Sequence, residues 1–126
     1  MELSLSDKLI FTRFLVGIPR ASGGFKSEDQ YMVTKLLDAD EDIFLQFRDY
    51  HKIKALELAK LMATEKKMEL SRLLYEFLTR NREVVNSELE AVRAILNQIE
   101  LDSSEWDSAL IAIVVAHRFK QSLLGR

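Results

Sequence analysis

Cysteine is absent from this 126-residue chain. That removes disulfides, thiolate metal sites and a cysteine nucleophile together. Proline occurs once and glycine four times. So few backbone breaks favour long helices over a strand-and-turn fold. Charge of one sign is scarce too: Lys and Arg number 18 against 20 Asp and Glu, a net charge of −2 with a pI near 5.7. A strong generic nucleic-acid binder carries a basic field, which is missing here. The longest apolar run, Ala109 to Ala116, falls far short of the roughly 18 residues that span a bilayer. The start, Met1-Glu2-Leu3-Ser4, lacks the basic flank and apolar stretch of a signal peptide, so the expectation is a cytoplasmic protein with no membrane span.

What is present is an ordinary globular balance, 48% hydrophobic and 30% charged. A chain of this length fits one domain, residues 1–126, with a workable core. Apolar residues recur at helical spacing throughout. Leu9, Ile10, Phe14 and Leu15 open a first helix that bends or ends at Gly17 and Pro19, since proline lacks an amide donor. After the turn Ala21-Ser22-Gly23-Gly24, Ser27 with Gln30 predicts a capped second helix burying Met32, Val33, Leu36 and Leu37. A long third helix is expected from Asp38 or Asp40, carrying Phe44, Phe47, Ala55, Leu58 and Met62 up to a break at Ala63-Thr64. With Thr64 as cap, a fourth helix buries Leu70, Leu73, Leu74, Phe77 and Leu78 and closes at Arg80-Asn81-Arg82. A fifth, capped by Asn86 or Ser87, buries Val92, Ile95, Leu96 and Ile99, and a sixth opens at Asp102-Ser103-Ser104-Glu105.

Residues 14–37 and 73–96 align at a constant offset of 59. Phe14 matches Leu73, Ile18 matches Phe77, Phe25 matches Val84, Asp29 matches Glu88, and Val33 matches Val92. The spacing predicts a duplicated helical unit, each copy covering the open core of the other. The expected fold is therefore all-α: one compact domain of about six helices from two tandem three-helix repeats, about 5–63 and 64–126. Burial of both Phe25 and Val84 is the mark of that repeat. Exposure of either would reduce the match to a coincidence of sequence.

The turns carry the second shared feature. The first copy reads Ala21-Ser22-Gly23-Gly24-Phe25-Lys26-Ser27-Glu28-Asp29, the second Arg80-Asn81-Arg82-Glu83-Val84-Val85-Asn86-Ser87-Glu88. On these residues the chain resembles the tellurite-resistance TerB-like family, small all-helical proteins whose repeats carry Ala-Asp-Gly-x-Val-x-x-x-Glu between two helices. The resemblance implies a stress-associated helical module. It also implies that the turns are the place to look for a ligand, partner or cation, at the acids Asp29, Glu83 and Glu88 and at Asn81. Ser22 and Asn81 stand where the family pattern has Asp. Physically, an acid in the first turn of a helix is favoured by unpaired amides and the helix dipole, by about 0.3–1 kcal/mol. That makes a structural role for these acids the default.

Other constellations are thin. Asp38-Ala39-Asp40-Glu41-Asp42 spaces its acids like a calcium loop, but Ile43 stands where such a loop needs glycine. His51 lies on the stripe of Phe47 and Ala55 and His117 near Ile113, with no Glu-x-x-His or His-Glu-x-x-His motif. There is no Walker loop, dinucleotide fingerprint or nucleophile elbow. Lysines 52, 54, 60, 66 and 67 with Arg72 interleave with Glu57, Glu65 and Glu69, as on a solvated helix face. The run Ile111 to Val115 with Trp106 is either a buried central helix or a homodimer surface. The functional expectation is a non-catalytic interaction module with a protein partner or self-association, and no cofactor or metal. The alternative is a small-ligand or ion-binding module using the turn acids.

Overall fold

The computed structural model describes residues 2–80 and 84–101, together with residue 112. Among the described residues the fold is all-α, with six helices and no strand. They are α1 (Leu5–Arg20), α2 (Ser27–Leu37), α3 (Ile43–Gln46), α4 (Lys52–Lys60), α5 (Thr64–Leu78) and α6 (Asn86–Gln98). A 3₁₀ turn, Phe47–Asp49, follows α3 directly. None of these helices is long and apolar enough to cross a membrane.

Helix α1 is the hub, packing against each of the other helices. Its sequence explains why: besides Leu9, Ile10, Phe14 and Leu15 it also buries Phe11, Thr12, Val16 and Ile18, so more than one face is apolar. Its start is a reciprocal capping box. The Asp7 amide donates to the Ser4 hydroxyl at 3.1 Å and the Ser4 amide to the Asp7 carboxylate at 3.0 Å. Burial pushes the Asp7 carboxyl up, but the Lys66 ammonium 2.8 Å away and the Ser4 donors outweigh it and hold it below its usual range. Pro19 sits in the last turn, and the helix ends one residue later, at Arg20.

Six helices are expected and the described residues form six, but they are not the same six. The long third helix is in fact two. Arg13 Nε donates to the Tyr50 carbonyl at 2.7 Å, taking the acceptor that a continuous helix would offer to the Lys54 amide. That amide turns instead to His51 Nδ1, at 3.5 Å, so His51 is an exposed cap of α4 rather than part of the core stripe. The start at Asp38 or Asp40 is also corrected. Asp38 ends α2 in the left-handed conformation, with φ of 49°, while the Ala39 amide closes back on the Thr34 carbonyl at 3.0 Å. Lys8 donates to the Asp38 carbonyl at 2.9 Å, a cation at a helix C-terminus, and α3 begins only at Ile43. The caps shift by one residue throughout: Lys26 precedes α2, Ala63 precedes α5 and Val85 precedes α6, none with a side-chain cap bond. The sixth expected helix, with Trp106, residues 111–115 and His117, lies outside the described residues except for Ala112, which is helical and exposed.

The segments matched at offset 59 agree closely in their helices. Shifted by 59, the starts of α1 and α2 fall on the starts of α5 and α6. Matched core residues are buried in both: Phe14 with Leu73, Leu15 with Leu74, Ile18 with Phe77, Val33 with Val92 and Leu37 with Leu96. The loop anchors do not agree. Phe25 is half-buried against Phe44, ring centroids 5.6 Å apart, whereas Val84 is 40% exposed. The pair expected to be buried together is therefore not, and that mark of a repeat fails.

Candidate functional site

Asp29 and Glu88 occupy the same place on their helices, the third position of α2 and of α6. Both are buried, at 6% and 2% exposure, which is unusual for carboxylates without a partner. Their partner is a single guanidinium. Arg80, just beyond the C-terminal end of α5, donates through Nε to Asp29 Oδ1 at 2.8 Å. Its Nη1 and Nη2 grip Glu88 side-on, at 2.8 Å to Oε1 and 3.1 Å to Oε2. Such bidentate geometry makes this one of the stronger ion pairs available to a protein.

The rest of the arrangement holds that guanidinium still. Nη1 also donates to the Phe77 carbonyl at 3.0 Å, and Cζ lies 4.2 Å from the Phe77 ring centroid. Asp29 Oδ2 accepts the Lys26 amide at 3.0 Å, so this acid both caps α2 and binds Arg80. The Ser22 hydroxyl, from the turn after α1, donates to Glu88 Oε2. Each turn thus reaches the acid of the other segment: Ser22 meets Glu88, and Arg80 meets Asp29.

Burial pushes the Glu88 carboxyl up, but the bonds from Arg80 and Ser22 exceed that effect and hold it below the usual carboxylate range. Burial likewise works against the charge on Arg80, and Glu88 and Asp29 together raise its affinity for the proton. The four side chains form the floor of a cleft of about 490 Å³ whose rim includes Lys26, Tyr31 and Val85. Gly24 also lines it, and the turn that carries Ser22 passes through Gly23 and Gly24 with φ of 127° and 120°, values that glycine adopts without strain.

Of the four candidate residues, Asp29 and Glu88 come together here, while Asn81 and Glu83 lie outside the described residues. Among the described residues no three His, Asp or Glu side chains gather as a metal would require. The positive charge between the two acids is supplied by Arg80. Sequence reasoning treated Arg80 only as part of a helix end and Ser22 only as a missing acid. The available signal was that two first-turn acids at equivalent positions, once buried, need a shared cation, and Arg80 lies in the matching turn.

No family model matches this chain, and neither a curated protein nor a solved structure matches it.

Proposed function

We propose that this protein is a non-catalytic helical interaction module of TerB-like type, built by duplication of a helical unit, that recruits a protein partner. The observation that carries the reading is the use made of Asp29 and Glu88. Arg80, Ser22 and the Lys26 amide engage their charged oxygens, which leaves them as structural counter-ions rather than a general acid or base. The groups left to act are those on the surface around them, where Tyr31 is 69% exposed and Val84 and Val85 are exposed as well. Exposed aromatic and aliphatic side chains beside a rigid polar floor suit a protein contact better than chemistry.

Shared helix starts, matched core residues and the crossed contacts of the turns favour the duplication, whereas exposed Val84 fails the burial criterion set for it and counts against it. The stress association rests on the resemblance alone. A small-ligand role is the second reading, favoured by the cleft itself. Its ion-binding form is disfavoured, because Arg80 already supplies the positive charge that a cation would bring.

Replacing Tyr31 by a photo-crosslinking phenylalanine analogue in the source organism tests the proposal. A discrete adduct from position 31, absent when the same analogue replaces exposed Leu61, is the expected result. No adduct from either position, with the protein folded and expressed, would refute it.

A further inference from the structure

Arg13 is the one described arginine that is half-buried yet has no carboxylate partner. Arg80 meets Asp29 and Glu88, and Arg72 meets Glu69 and Glu76. Arg13 instead meets a backbone carbonyl and a ring. Its Nε donates to the Tyr50 carbonyl at 2.7 Å, and its Cζ lies 4.5 Å from the centroid of the Phe47 ring. A guanidinium has five N–H donors. The four on Nη1 and Nη2 of Arg13 have no hydrogen-bond partner among the described residues.

A second unmatched cation stands on the same face of α1. Arg20 lies seven residues further on, two helical turns and about 10.5 Å along the axis. It is exposed and forms no ion pair among the described residues. Burial, and then the like charge of Arg20, both weaken the hold of Arg13 on its proton, with no acid offsetting them. The two arginines share one face of α1 with no carboxylate between them among the described residues, so a bound anion would relieve their repulsion. None of these residues lines the cleft around Arg80.

We propose that Arg13 and Arg20 form a binding site for a phosphomonoester, distinct from the Asp29–Arg80–Glu88 cleft. Arg13 is the pre-set half. Its Nε bond and its contact with Phe47 fix the plane of the guanidinium, and the unfilled Nη edge offers two parallel N–H groups to two phosphoryl oxygens. Arg20, on an exposed side chain, supplies the second charge. A dianionic phosphomonoester neutralises both arginines, whereas a carboxylate neutralises one.

The test is a titration of the full chain followed by NMR of the arginine Nε–H groups, at fixed ionic strength with chloride as the balancing anion. Inorganic phosphate, phenyl phosphate and acetate are the three probes. The expected result is a saturable shift of the Arg13 Nε–H with phenyl phosphate, at least tenfold tighter than with acetate. Arg20→Gln should weaken it about tenfold without unfolding the protein, because Arg20 is exposed and makes no ion pair among the described residues. Arg93→Gln, an exposed cation on α6, should leave it unchanged. Arg13→Lys, which keeps the charge and loses the two-pronged edge, has no Arg13 Nε–H, so it is titrated by calorimetry beside the parent and Arg20→Gln; it should bind phenyl phosphate more weakly than Arg20→Gln does. The proposal is overturned by a linear, unsaturating response to phenyl phosphate, by equal affinity for acetate, by binding of inorganic phosphate alone, or by an Arg20→Gln protein that binds as tightly as the parent.

Discussion

Replacing Arg80 by methionine should turn a buried, fully paired ion cluster into a strongly destabilising one. Methionine keeps an aliphatic contact with Phe77 and removes every donor that Asp29 and Glu88 share. Both acids are then buried side by side as uncompensated charges. Breaking a buried pair by removing one partner costs about 3–5 kcal/mol, and part of that is relieved when a carboxyl takes up a proton. A loss of about 3–4 kcal/mol at pH 7 follows, which for a domain of this size lowers Tm by about 10–20 °C.

The pH dependence makes the test specific. In the parent, Glu88 is held below its usual range, so its contribution is full above about pH 4.3 and is lost as pH falls through the lowered folded value. In the variant, burial acts without the guanidinium, and the folded-state value rises above the unfolded one. That penalty is full above the raised value and shrinks as pH falls towards about 4.3. The gap between parent and variant should therefore narrow between pH 7 and pH 5. Urea denaturation followed by circular dichroism at the two pH values measures it. A triple variant adding Asp29→Asn and Glu88→Gln should recover part of the loss at pH 7. A gap below about 1 kcal/mol at pH 7, small beside the cost of a broken buried pair, would refute the reasoning. So would a gap of the same size at pH 5.

Two further outcomes follow from other parts of the structure. Calcium, magnesium or zinc should leave Tm unchanged, because Arg80 already compensates Asp29 and Glu88; a specific ion at a hundred times its Kd would add about 2.7 kcal/mol, visible as several degrees in a thermal melt. A shift that Glu88→Gln abolishes would revive the ion reading. Ser71 is fully buried in α5 and its hydroxyl has no partner among the described residues, so Ser71→Ala should hold stability level or raise it by up to about 1 kcal/mol, since an unpaired buried polar group is costly. A clear drop in the urea midpoint would mean that the hydroxyl is bonded after all.

Sequence alone determined what depends on a few neighbouring residues. The 3.6-residue spacing of Val33 and Leu37, or of Leu70, Leu73, Leu74 and Phe77, marked which faces are buried. The break at Ala63-Thr64 was legible too, as was a helix opening beside Asn86, one residue earlier than the cap expected there, and so were first-turn acids at Asp29 and Glu88. Tertiary structure decided the rest, because the deciding partner is far along the chain. Arg13 splits the expected third helix by taking the Tyr50 carbonyl, 37 residues away, and no local propensity signals that. Val84 repeats the apolar character of Phe25 yet is exposed, since only the packing of surrounding elements determines whether an apolar side chain finds cover. Arg80 reaches Asp29 across 51 residues and Glu88 across eight. Periodicity could show that two acids sit at helix starts. Only the docking of α2, α5 and α6 could decide that one guanidinium would stand between them, because charge pairing at depth is set by which elements meet and not by the residues beside each charge.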